Sequence, residues 1–213
     1  MVLNNWSLSL ECINSREIGT ISAGLFSMEK LSSKAEERQL VDSVKSGDAA
    51  AFERLYRLNI GFLSALCLRY VADEEAAKDV LQNAMLKIYS SIGSFKYKGD
   101  GSLRAWMGKI VLNDSLKYLK SKGRMVFQEI DDDYPQPTEE NMEEIPANVL
   151  FDMIRSLPVG YRTVFNLFVI EGKSYKDIAK SLNIKEGTVA SQIYKAKALL
   201  SNKIKEYERQ MVG

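Results

Sequence analysis

The chain has 213 residues, with 29 Lys and Arg against 28 Asp and Glu and no histidine, so its formal net charge at pH 7 is +1. This length accommodates one large domain or two small ones with modest cores. Without histidine it lacks the commonest general base and the commonest metal ligand, which argues against hydrolytic triads and most zinc sites.

The two cysteines, Cys12 and Cys67, form no CxxC pair, which disfavours a disulfide scaffold and suits a reducing cytoplasm. No apolar run approaches bilayer length, since the longest, around Val164–Ile170, contains Asn166. No catalytic site, metal site or cofactor is expected, and no membrane insertion.

In residues 1–27, Asn4, Asn5, Glu11 and Arg16 interrupt every hydrophobic stretch, unlike a signal peptide. The expectation is an extension without a fold of its own, with Met28 as the natural start; a short N-terminal arm is the alternative. From Leu31 to Lys122 apolar residues recur at helical spacing, as in Leu40, Val41, Val44 and then Phe52, Leu55, Tyr56, Ile60, Leu63, Leu66. Ser46-Gly47-Asp48 separates a first helix from a second, with Asp48 an N-cap. Asp73 caps a third helix running through Ile92, and the stretch Phe95–Gly101 precedes a fourth from Ser102 to about Lys122. Residues 28–124 are thus expected to form a four-helix domain.

Charge is unevenly placed along the chain. Between Phe95 and Arg124 stand Lys96, Lys98, Arg104, Lys109, Lys117, Lys120, Lys122 and Arg124 against only Asp100 and Asp114, a candidate polyanion-binding surface. From Glu129 to Glu144 there are eight acids and no base, with Pro135 and Pro137 in the same stretch and Pro146 just beyond. Residues 125–147 therefore read as an acidic, self-repelling flexible linker. Beyond it, Val149–Ser156, Pro158–Glu171, Tyr175–Leu182 and Thr188 to about Glu208 are predicted helices of a second domain, 148–213. The fold class expected is all-α, two helical domains joined by the linker.

The most specific local signal is the stretch Tyr175–Leu200. A DNA-binding helix-turn-helix needs a small residue where its helices cross, a turn residue tolerant of positive φ, and an apolar residue locking the second helix. Ala179, Asn183 and Val189 fall at positions five, nine and fifteen of that pattern, and asparagine enters the left-handed region more readily than most residues. Gly187-Thr188 is expected to open the second helix. Thr188, Ala190, Ser191, Gln192 and Lys195 are then expected to be exposed and to face the major groove, where glutamine can pair with adenine through two hydrogen bonds.

At this point the chain resembles the extracytoplasmic-function branch of the sigma-70 family. The C-terminal resemblance runs through Leu157, Pro158, Tyr161, Arg162, Phe165, Gly172, Ser174, Tyr175, Ile178, Ala179, Gly187, Thr188, Val189, Ser191 and Ala196. "AAKDVLQNAMLKIYSSIGSF" is similar to the helix such factors place against core RNA polymerase, and "LRAWMGKIVLNDSLKYLKSKGR" to their promoter-opening helix. The resemblance implies a non-enzymatic, cytoplasmic initiation factor that directs core polymerase to specific promoters and opens the -10 region. Its implied partners are core RNA polymerase and promoter DNA, as -35 duplex and -10 non-template strand, with an anti-sigma factor left open as a third.

It also implies roles for particular residues. Asp79, Gln82 and Leu86 would bind polymerase; Phe95, Tyr97 and Asn113 would hold an extruded base; Lys109, Lys117, Lys120, Lys122 and Arg124 would contact phosphates. Four positions depart from the family pattern. Asn83 stands where relatives usually carry an acid, which implies a smaller share in polymerase binding; Lys117 stands where many carry an acid, and Ala190 and Gln192 where they often carry bases, so the resemblance does not extend to the promoter sequence read. The alternative reading is another helix-turn-helix regulator, of response-regulator type, which would require alternating strands and helices.

Overall fold

The structure is a computed structural model and describes residues 34–123, 125, 127 and 145–212. The leader 1–27, Arg124 and the acidic run 129–144 lie outside these residues. The described residues are helices and turns, with no strand, and they fall into two compact units, one ending at Ser121 and one beginning at Lys122.

In the first unit, α1 spans Lys34–Lys45, α2 Ala49–Tyr70, α3 Glu74–Ser91 and α4 Ser102–Ser121. Their boundaries follow from local chemistry. Gly47 adopts φ +90° and so turns the chain after α1. Asp48 Oδ1 then accepts from the Ala50 and Ala51 N–H groups at 2.9 and 3.3 Å, satisfying donors that a bare helix start leaves orphaned. Asp73 does the same for α3 through the Ala76 N–H at 2.8 Å, and Glu74 and Glu75 in the first turn complement the helix dipole. A 3-10 turn, Ile92–Ser94, ends α3.

Leu55, Leu63, Ile88, Leu103, Met107 and Leu119 are fully buried where α2, α3 and α4 pack together. Each such side chain contributes roughly 1.5–3 kcal/mol of burial. At Gly108 the α2–α4 approach is close, because a Cβ there would stand 3.4 Å from Leu66 Cδ2. The core also contains one small polar junction: Cys67 Sγ lies 3.5 Å from the Ala77 carbonyl oxygen and 3.6 Å from Ser115 Oγ. Burial raises the Cys67 thiol pKa, Ser115 opposes the rise and the nearby Asp114 charge adds to it, so this thiol stays protonated and inert.

In the second unit, α5 spans Ala147–Arg155, α6 Val159–Phe165, α7 Tyr175–Leu182 and α8 Glu186–Val212. Residues 158–171 do not form the single α-helix expected: α6 widens into a π-helical segment, Asn166–Ile170. There the Glu171 N–H donates to the Asn166 carbonyl at 3.0 Å, a bond five residues back, and Gly172 at φ +62° ends the turn. Arg162 is buried and donates to the carbonyls of Arg155 and Leu157 at 2.6 and 2.9 Å, placing positive charge on the C-terminal end of α5. Burial, with Arg155 beside it, lowers its pKa to about 10.

Candidate polymerase and nucleic-acid interfaces

The outer face of α3 is built by elimination. Ala77, Val80, Leu81, Ala84, Met85 and Ile88 turn inward, which leaves Asp79, Gln82, Asn83 and Leu86 exposed along one side. Leu86 is 64% exposed. Tyr89, also exposed, makes an edge-to-face contact with Phe52 of α2 at 4.8 Å, and the exposed Tyr56 stands one turn beyond Phe52. This aromatic continuation onto α2 was missed in the sequence because Phe52 and Tyr56 were absorbed into the core periodicity. The signal lay in their i,i+4 spacing off the Leu55–Leu63 face.

On α4, Lys109, Asn113, Lys117 and Lys120 are all exposed, and their spacing places them in one stripe along the helix. Lys122 is exposed in the turn that follows. The stripe thus carries one amide among cations, an arrangement suited to a nucleic-acid strand with phosphates on either side of a recognised base.

The loop before α4 corrects one expectation. Phe95 is 4% exposed, with its ring 5.2 Å from that of Trp106 and its carbonyl accepting from Lys45 Nζ at 2.7 Å. It is a core residue and cannot stack on an extruded base in this conformation. The reason is that Phe95 directly follows the 3-10 turn, whose geometry aims it inward beside Ile92. Tyr97 is half-buried, and its hydroxyl donates to Asp100 Oδ1 at 3.3 Å. Glu37 of α1 reaches the same tyrosine; burial first, then the Asp100 charge, raises the Glu37 pKa, while the Tyr97 hydrogen bond and Arg104 oppose the rise.

In the second unit the turn geometry is as the pattern requires. Ser174 caps α7, its Oγ accepting from the Asp177 N–H at 3.1 Å. Asn183 adopts φ 59°, ψ 51°, the sole non-glycine residue with positive φ among those described. Ala179 and Val189 are buried with Ile178 and Leu182. Helix α8 begins at Glu186, two residues before the expected start.

The exposure expected along α8 is a second correction. Thr188 and Ala190 are partly exposed, but Ser191, Gln192 and Lys195 are buried, Gln192 fully and Lys195 to 3% exposure. Gln192 stands three residues after Val189 and four before Ala196, so it borders the seam Val189, Ile193, Ala196, Leu200, Ile204. Helix α8 is the centre of its unit, packed by α5, α6 and α7, and its buried arc is wider than that seam.

Comparison with known proteins places these surfaces in a context. Residues 55–125 match the family described as Sigma-70 region 2, and residues 148–200 match Sigma-70, region 4. The ECF RNA polymerase sigma-E factor of Haemophilus influenzae is 31% identical over 182 residues, covering 79% of this chain and 95% of its own. The RNA polymerase sigma-H factor of Pseudomonas aeruginosa is 31% identical over 190 residues, covering 82% and 97%. Among solved structures, CnrH in complex with the cytosolic domain of CnrY aligns with a TM-score of 0.43 at 22% identity, over 79% of this chain and 97% of that one. The chain belongs to the sigma-70 family of RNA polymerase sigma factors, in its extracytoplasmic-function branch. Among the described residues, no helix is long and apolar enough to cross a membrane.

Proposed function

We propose that the chain acts in the cytoplasm as a dissociable promoter-specificity subunit, working by binding rather than by catalysis. Residues 28–124 bind core polymerase and capture the opened -10 strand, residues 125–147 link, and residues 148–213 read the -35 duplex. The observation that carries this reading is the juxtaposition, within one small helical unit, of two chemically different exposed surfaces. On α3, Asp79, Gln82 and Leu86, extended by Tyr89, offer a protein-binding face of mixed apolar and polar character. On α4, Lys109, Asn113, Lys117 and Lys120, followed by Lys122, offer a strand-binding stripe.

Within this reading Tyr97 supplies the stacking ring and Asn113 the hydrogen-bonding group for an extruded base; Phe95 supports the loop from beneath. Arg124 continues the basic stripe in sequence and is assigned to phosphate by its position alone. On α8, Thr188 and Ala190 are the positions open to the groove. Ser191, Gln192 and Lys195 take part only in a conformation that uncovers them. The response-regulator alternative calls for strands alternating with helices, and the described residues of both units are helical.

The test is reconstitution. Purified chain mixed with bacterial core polymerase should give discrete run-off transcripts from fragments of its own genome, and neither component alone should. Asp79→Arg with Gln82→Ala should abolish co-elution with core while leaving the circular dichroism spectrum unchanged. Absence of any specific transcript from the parent protein would overturn the reading.

A further inference from the structure

One ion pair joins the two candidate surfaces of the N-terminal unit. Lys87 Nζ on α3 donates to Asp114 Oδ1 on α4 at 2.5 Å, across 27 residues of sequence. The two side chains are unequally placed: Lys87 is 52% exposed and Asp114 13%. Lys87 immediately follows Leu86 on the proposed polymerase face, and Asp114 immediately follows Asn113 on the proposed strand-binding stripe. The second carboxylate oxygen, Asp114 Oδ2, is buried and finds no donor among the described residues. Lys87 is therefore the group on which the orientation of this carboxylate depends.

An exposed pair contributes little, because water screens the attraction and two long side chains must be ordered to make it. This pair is half of that kind. Its carboxylate is already largely withdrawn from water, so its desolvation is mostly complete, while its ammonium still faces solvent. Covering Lys87 with a protein surface would lower the local dielectric and strengthen the attraction, which varies inversely with it. The response falls on α4, at the residue adjoining Asn113.

We infer that Asp114 is a positioning residue, which through Lys87 ties the polymerase-binding helix to the strand-binding helix, so that seating polymerase on α3 steadies Asn113 on α4. The inference rests on the function proposed above. Linkage makes it reciprocal: a single strand held on α4 strengthens the hold of polymerase on α3 by the same factor. In this scheme polymerase covers Lys87, neither member of the pair touches the base, and the effect on Asn113 is on geometry.

The experiment compares the full-length parent with Lys87→Gln, Asp114→Asn, the double variant, and Lys87→Arg, which keeps the charge. Amide hydrogen exchange over residues 110–117 is measured with and without core polymerase, and co-elution reports binding to core. In the parent and Lys87→Arg, core should slow exchange there by about tenfold; couplings of this kind are typically 0.5–2 kcal/mol, or roughly 2- to 30-fold. In Lys87→Gln and Asp114→Asn the slowing should shrink to about twofold or less, and the double variant should lose no more than either single change. Lys87→Gln alters a half-exposed side chain and keeps the test open should Asp114→Asn fold poorly. Equal slowing in every variant would overturn the inference, as would additive losses in the double variant, or an increase in exchange of the free chain as large as that in the complex. If the parent itself fails to co-elute with core, the proposed function falls and takes the coupling with it. If the parent co-elutes and the variants are slowed like it, the coupling alone falls.

Discussion

Phe95 and Trp106 hold their ring centroids 5.2 Å apart at an interplanar angle of 46°, with Phe95 almost fully enclosed. The contact fastens the loop before α4 to α4 itself, and it leaves Tyr97 as the ring of that loop with access to solvent. Phe95→Ala should therefore lower global stability, by about 3–5 kcal/mol as for other buried phenylalanines. Tyr97→Ala should leave the melting temperature nearly unchanged and weaken single-strand binding by about 1–3 kcal/mol, the usual worth of one stacked base. Thermal melts and fluorescence anisotropy with the opened strand of a promoter found by run-off would separate the two. A Phe95→Ala protein that melts like the parent and loses only strand binding would refute the assignment.

Gln192 and Thr188 should also part company. Gln192 is fully buried, so Gln192→Ala should destabilise the protein by about 1–3 kcal/mol, the range usual for losing a packed side chain from an enclosed position. Thr188→Ala should melt with the parent and reduce affinity for upstream duplex. Calorimetry on both variants, with duplex titration on the second, checks this. A stable Gln192→Ala protein that has lost duplex binding would restore Gln192 as an open base reader.

Asn183 tests the turn. At φ 59°, ψ 51° it occupies the left-handed region, where glycine is at ease and β-branched residues are not. Asn183→Gly should change stability by only a few tenths of a kcal/mol, and Asn183→Val should cost about 1–3 kcal/mol. Denaturant melts of the two variants should differ accordingly, and the same midpoint for both would refute a strained turn.

The stripe on α4 makes a prediction about salt. Replacing Lys109, Lys117 or Lys120 singly by Gln should reduce the slope of log affinity against log salt by about 0.7 for a single strand, where each lysine neutralises one phosphate. The same change should not alter which sequence is preferred. Titrations at several salt concentrations would expose a lysine that makes no phosphate contact as one whose removal leaves the slope intact.

Glu37 predicts a pH dependence. Its pKa is raised in the folded protein, chiefly by burial and next by the Asp100 charge. The folded state therefore holds this proton more tightly than the unfolded chain, and stability declines as pH rises from the ordinary carboxylate range, roughly pH 4–5, through the folded value. Glu37→Gln removes that decline while keeping an acceptor for Tyr97. The melting temperature of the variant should gain on the parent between pH 4 and pH 7, and a gap that stays constant or narrows would contradict the shift.

The helices were legible in the sequence wherever their ends are made by neighbours in the chain. Asp48 and Asp73 bond N–H groups two or three residues on, Ser174 does so for Asp177, and Asn183 takes its left-handed conformation within the turn it makes. Such interactions depend on nothing distant, so spacing alone carries them. The five-nine-fifteen pattern was readable for the same reason: it is a relation between two adjacent helices and the turn that joins them. The π-helical Asn166–Ile170 was not readable, since an apolar run with helical periodicity does not distinguish a bond four residues back from one five back.

Periodicity by itself determined which helical residues lie near which others, and so placed Lys109, Asn113, Lys117 and Lys120 on one stripe and Val189, Ile193 and Ala196 on one seam. How much of each helix is covered depends on how many elements pack around it, and that only the tertiary structure decided. Helix α8 is packed by three helices of its unit, and its buried residues include Gln192 as well as the apolar seam. Phe95 faces inward because a 3-10 turn precedes it and Trp106 lies within reach. The pairing of Lys87 with Asp114 had no local trace at all, because two charges 27 residues apart meet only when α3 and α4 pack side by side.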